Sequence, residues 1–176
     1  MQKQQLLSVR DAAYIAVAAA VIAVMAQIAI PMPVGVPFTL QTLAVPLIAA
    51  ILGAKRGILA VVVYLLIGLL GVPVFSNFGA GFAVLIGRTG GFLFSFPFFA
   101  LLVGLGYRSE KWYARLSTLV AGYILMFTMG MLQFMLVTGS GLLASFYLVV
   151  APFLLLDGIK LVIVFLLAGR LQSKIS

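Results

Sequence analysis

Two ionisable side chains of opposite sign, Asp157 and Lys160, sit three residues apart inside the otherwise apolar run Phe153–Leu167. On a helix that spacing puts both heads on one face. A third charge, Arg88, lies in another apolar run. A charged side chain at the centre of a bilayer costs about 2.5–3.5 kcal/mol on insertion scales, so such groups turn toward protein, a cavity or a ligand. Arg88, Asp157 and Lys160 together leave one positive charge unmatched, which points to an anionic small molecule. Arginine offers a planar fork that suits a carboxylate, and lysine a point charge. Asp157 offers an acceptor for ligand N–H groups. A ligand with a carboxylate at one end and N–H donors at the other satisfies all three. The plainer alternative is a structural ion pair between Asp157 and Lys160, which leaves Arg88 as a separate cost.

Asn77 is a further candidate, since its amide both donates and accepts. It stands beside Ser76, between Phe75 and Phe78, with Gly79 and Gly81 following; the plain alternative is a turn former. Thr39, Gln41 and Thr42 are weaker candidates of the same kind. Gly87-Arg88-Thr89-Gly90-Gly91 is not a phosphate loop, because G-x-x-x-x-G-K-[ST] occurs nowhere in the chain. Without that motif or its acidic partner, the chain does not hydrolyse ATP by that route. Gly90 and Gly91 are expected to allow close helix packing or a break beside a pocket.

The elements that must position these groups are membrane helices. Of 176 residues, 65% are hydrophobic and only 8% charged, against about a quarter charged in soluble domains. Cysteine and histidine are absent from the sequence, which excludes disulfides, Cys or His metal sites, thiol catalysis and histidine general-base catalysis. The net charge of +8 marks topology rather than a nucleic-acid surface. Arg10 before Ala12–Ile30 resembles the start of a signal peptide, but the rest of the chain is equally apolar, so this run is expected to be an uncleaved helix.

Six apolar runs follow one another, at about 11–30, 40–53, 57–70, 83–105, 116–137 and 145–168. The second and third are short, about 14 residues or about 21 Å against a core of about 30 Å. Non-helical backbone at membrane depth survives only when buried in protein or lining a cavity. The uncharged Pro/Gly segments 31–39 and 71–82 are therefore expected to fold inward as caps over an outward-facing pocket, the alternative being ordinary outer loops. Lys3, Arg10, Lys55, Arg56, Arg108, Lys111, Arg115, Arg170 and Lys174 all fall at the N-terminus, the second and fourth loops and the C-terminus. By the positive-inside rule this is a six-helix all-α membrane protein with both termini in the cytoplasm, forming a single domain over 1–176. Pro46, Pro97 and Pro152 should kink their helices. Met126, Met129, Met131 and Met135 are expected as core filler. Ala12, Ala16 and Ala20 form a small-residue stripe and Ala19, Ala23 and Ala26 a neighbouring one; each is either bundle packing or, if exposed, a docking face.

Pro37-Phe-Thr-Leu-Gln-Thr-Leu, Gly71-Val-Pro-Val-Phe, Gly87-Arg-Thr-Gly-Gly-Phe and the Asp157-Gly-Ile-Lys160 helix resemble the BioY family, the biotin-binding S components of energy-coupling factor (ECF) transporters. The resemblance runs over about residues 12–170. It implies a multi-pass protein of a prokaryotic plasma membrane that captures biotin from outside with high affinity, uses no cofactor, binds no nucleic acid and is not an enzyme. It implies as partners membrane lipid, a transmembrane coupling protein and two cytoplasmic ATPase subunits, with uptake by toppling of the docked S component. It maps biotin contacts onto Asn77, Arg88, Asp157 and Lys160, and docking onto Ala12, Ala16 and Ala20. Pro is common at the position of Arg88 in the family, so Arg88 is a departure. The competing readings are an S component for another small anionic vitamin, and a stand-alone secondary transporter using Asp157, the one intramembrane acid. No internal repeat of the kind such transporters carry is present.

Overall fold

The computed structural model describes residues 8–175, with side-chain surroundings through residue 171. Lys3 and the side chain of Lys174, two of the expected topology markers, lie outside the described residues. The chain is almost wholly helical. α1 spans Val9–Gln27. A two-stranded antiparallel hairpin follows, β1 (Ala29–Ile30) against β2 (Phe38–Thr39). Then come α2 (Gln41–Leu69), a 3-10 turn (Ser76–Phe78), α3 (Phe82–Ile86), α4 (Gly90–Gly106), α5 (Trp112–Thr138), α6 (Leu142–Val149) and α7 (Ala151–Ile175). Four of these, α1, α2, α5 and residues Ala151–Leu171 of α7, are long and apolar enough to cross a membrane, and α4 is a shorter apolar helix.

α1 begins at a capping box. The Ser8 hydroxyl accepts from the Asp11 N–H at 3.1 Å, and the Asp11 carboxylate accepts from the Ser8 N–H at 3.2 Å. The other oxygen of Asp11 meets Arg56 at 2.6 Å, tying the start of α1 to α2.

α2 is interrupted rather than continuous. Gly53 adopts φ 79°, ψ 168°, a conformation open to glycine and closed to residues with a Cβ. A Cβ on Gly57 would lie 2.9 Å from the Cα of Ala49, whereas residues eight apart in a straight helix are separated by about 12 Å. The two halves of α2 therefore fold back against each other at Gly53, beside Lys55 and Arg56. The backbone departs from helical geometry here and not at Pro46.

Two expected runs are divided differently. The fourth is not one helix over 83–105: it breaks between α3 and α4, so Arg88 stands in a turn and not inside a helix. The sixth breaks at Val150 (φ −122°, ψ −61°) between α6 and α7, two residues before Pro152, which lacks an N–H to continue a helix. The core runs between α2, α4, α5 and α7 and includes Val45, Val61, Phe96, Phe99, Leu119 and Val164. On α1, Ala19 and Ala26 pack inward, while Ala12, Ala16 and Ala20 are exposed.

Candidate functional site

α7 carries one inward stripe, Phe153, Asp157, Lys160, Val164 and Ala168, with lipid-type side chains elsewhere along it. The three- and four-residue spacing is that of a single helix face. Asp157 is 3% exposed and Lys160 4%, as the spacing predicts. Their heads meet at 2.7 Å through Lys160 Nζ and Asp157 Oδ1. The ammonium also donates to the Thr39 carbonyl at 2.6 Å and to Thr42 Oγ1 at 2.7 Å. An ammonium has three N–H donors, so protein acceptors occupy all of them. The ring of Phe38 covers it as well, with Nζ 3.6 Å from the centroid.

Asp157 is saturated on one side only. Oδ1 accepts from Lys160 and from the Thr42 hydroxyl, each at 2.7 Å. Oδ2 accepts no hydrogen bond among the described residues. Asp157 lines a cavity of about 390 Å³, within the range of about 300–1,000 Å³ usual for small-molecule sites. Asn77, Arg88 and Lys160 line the same cavity. Residues far apart in the chain thus line one space, and both Pro/Gly segments contribute to its wall, through Gly35–Thr39 and Phe75–Asn77. Its middle is apolar, walled by Val36, Phe92, Phe96, Met126, Phe127 and Phe153.

Arg88 departs from expectation. It is exposed at the rim and not buried. Its Nη1 donates to the Val34 carbonyl at 3.3 Å, and its side chain lies against Gly35, whose Cβ would sit 3.2 Å from that nitrogen. The reason is the break between α3 and α4: glycines at 87, 90 and 91 end one helix and start another, and leave Arg88 in the turn. Its remaining guanidinium donors have no acceptor among the described residues.

Asn77 is exposed too, but rigidly presented. It adopts φ 55°, ψ 39°, and Phe78 also has positive φ, at 56°. Asparagine tolerates this left-handed region better than most residues; two such residues in a row persist only where surroundings impose them. Gln27 of α1 supplies the constraint. Its Nε2 donates to the carbonyls of Val74 and Phe75 at 3.1 Å, and its Oε1 accepts from the Phe78 N–H at 3.0 Å. Phe75 is buried edge-on against Tyr64, with centroids 5.6 Å apart.

Gln41 joins the caps below. Its Oε1 accepts from Thr39 Oγ1 at 3.1 Å and from Ser76 Oγ at 3.2 Å, and its Nε2 donates to the Tyr64 hydroxyl. The Thr42 carbonyl accepts from Tyr123 at 2.8 Å. Thr39, Gln41 and Thr42, weak candidates by sequence, are therefore structural members of the site. Sequence reasoning missed Gln27, and also Gln133 of α5, whose Nε2 donates to the Leu85 and Gly87 carbonyls beside Arg88 at 2.7 and 2.8 Å. The signal was present: each is an amide in an apolar stretch, where an unpaired polar group is costly.

The BioY family model matches residues 1–176. Over 152 residues the chain is 38% identical to the biotin transporter BioY2 of Lactococcus lactis subsp. cremoris, covering 85% of this chain and 83% of the relative. Over 159 residues it is 41% identical to the biotin transporter BioY of Thermotoga maritima, covering 88% and 90%. A crystal structure of the S-component for biotin from an ECF-type ABC transporter superposes with a TM-score of 0.83 at 26% identity, covering 98% of this chain and 95% of that one.

Proposed function

The chain belongs to the BioY family, and from that premise we propose that it is the biotin-capturing S component of an ECF-type transporter, a multi-pass membrane protein that binds substrate and is not an enzyme. Biotin has a ureido ring with two N–H donors and one carbonyl, and a carboxylate on a short apolar tail. The observation that carries the reading at the site is the unequal use of Asp157, which lines the cavity: Oδ1 is held by Lys160 and Thr42, while Oδ2 accepts no hydrogen bond among the described residues. A ureido N–H donates to Oδ2. Asn77, with both donor and acceptor, reads the rest of the ring. The tail lies along the aromatic walls, and the carboxylate reaches Arg88 at the rim. Lys160 does not hold the carboxylate, because its donors are spent and Asp157 beside it repels a second anion. Its part is to fix Asp157 and the Thr39–Thr42 turn. The reading calls for no cofactor.

The fold-back of α2 at Gly53, beside Lys55 and Arg56, supports counting it as two spans. With α1, α4, α5 and α7 that makes six, with both termini in the cytoplasm and the cavity facing out. The residence is then a prokaryotic plasma membrane. Ala12, Ala16 and Ala20, exposed while Ala19 and Ala26 pack inward, form the face that docks on a transmembrane coupling protein; two cytoplasmic ATPase subunits energise uptake. Native mass spectrometry of the protein from cells grown with biotin tests the substrate. The expected spectrum carries the mass of biotin on the wild type and not on Asp157→Asn; a different bound mass, or none, overturns the reading.

A further inference from the structure

Arg88 is presented by a turn with little of its own to hold it. α3 ends at Ile86 and α4 begins at Gly90, so the last carbonyls of α3 lack helical partners. The contact from Arg88 itself is one bond of 3.3 Å to the Val34 carbonyl, made at the far end of a long side chain. The turn is closed by the Gly90 N–H on the Gly87 carbonyl at 3.2 Å and is tied down from α5. Gln133 Nε2 donates to the Leu85 carbonyl at 2.7 Å and to the Gly87 carbonyl at 2.8 Å. Both N–H groups of the amide are used, on carbonyls that bracket Ile86, the second of them on Gly87, immediately before Arg88.

The backbone is shaped around this amide. A Cβ on Gly90 would overlap the Leu85 carbonyl and crowd Gln133 Nε2, and one on Gly91 would lie 2.9 Å from Gln133 Cβ. Two successive glycines thus let the start of α4 close onto the same side chain that caps α3.

We propose that Gln133 is a positioning residue that sets the charge selectivity of the pocket: by pinning the Leu85 and Gly87 carbonyls it holds Arg88 over the mouth. The inference rests on the reading that Arg88 meets the carboxylate of the ligand. Without Gln133 the Leu85 carbonyl loses its acceptor bond and the Gly87 carbonyl keeps only the Gly90 N–H at 3.2 Å, the turn relaxes, and Arg88 no longer stays over the mouth. The grip on the ureido ring by Asp157 and Asn77 does not depend on it.

The test is titration of the purified full chain with biotin and with its primary carboxamide, which keeps the ring and tail but not the charge. The wild type is expected to favour the acid by about tenfold, the scale of a charge-assisted pair over a neutral one. Gln133→Met keeps length and removes the donors. It should bring the acid-to-amide ratio close to one while amide affinity stays within about twofold of wild type. In an Arg88→Gln background the same substitution should change the ratio no further. Gln133→Ala, run in parallel, admits water to the two carbonyls and carries the same expectation if the Met variant does not fold. An equal loss for both ligands, or an unchanged ratio, overturns the proposal. A wild type with no preference and an Arg88→Gln variant without effect overturns the reading of Arg88 instead, and does so without any Gln133 variant.

Discussion

The two ends of the cavity use positive charge in opposite ways. At the α7 end Lys160 is buried, and its three donors and one face are taken by Asp157, Thr39, Thr42 and Phe38. At the rim Arg88 is exposed and has one long bond to a loop carbonyl. A buried charge must be fully satisfied before any ligand arrives, because an unpaired one costs several kcal/mol. A charge at a wet rim carries no such requirement and can keep its donors for a guest. On the function proposed above, the deep lysine is scaffold and the shallow arginine is recognition, although their shared sign invites the same role for both.

Lys160→Ala should have the largest effect. It strands Asp157 unpaired, and we expect a stability loss of about 3–5 kcal/mol, read as a drop in Tm in detergent, together with loss of biotin binding. Replacing the pair with apolar residues, Asp157→Leu with Lys160→Met, should restore much of the Tm but none of the binding, separating scaffold from recognition. Asp157→Asn preserves shape and weakens the acceptor; we expect about a hundredfold loss of biotin affinity by isothermal titration, or about 2.7 kcal/mol. Unchanged affinity in both Asp157→Asn and Lys160→Ala would remove this end of the site altogether. Arg88→Gln should cost about tenfold, with no change in Tm, and the wild-type advantage over it should shrink as salt is raised. The smallest effect on binding belongs to Ala16→Trp, on the exposed face of α1 away from both ends. Affinity should stay within about twofold, while copurification with the coupling protein is lost. Wild-type copurification would return the stripe to bundle packing.

Much of this arrangement was legible in the chain. The apolar runs and the i, i+3 spacing of Asp157 and Lys160 fix which face of α7 turns inward, because that depends on local periodicity and on the cost of charge in lipid. That segments 31–39 and 71–82 contribute to the cavity wall is in line with apolar runs too short for a bilayer. What stayed hidden depends on contacts across the fold. No pattern links Phe38 to Lys160, or Gln133 to the end of α3, since nothing local relates residues 122 or 46 positions apart. The exposure of Arg88 is hidden in the sequence for a related reason. Its flanking sequence is as apolar as that of a buried position, and its exposure comes from a glycine-made break that hydropathy does not register. The left-handed backbone of Asn77 likewise depends on Gln27, some 51 residues away from Phe78.

A structure of the protein with biotin bound measures the division of labour directly. The ureido N–H is expected about 3 Å from Asp157 Oδ2 and the carboxylate about 3 Å from the guanidinium of Arg88, with Lys160 still on Asp157, Thr39 and Thr42. A carboxylate seated on Lys160 Nζ, with Asp157 or Thr42 displaced from it, would contradict the account.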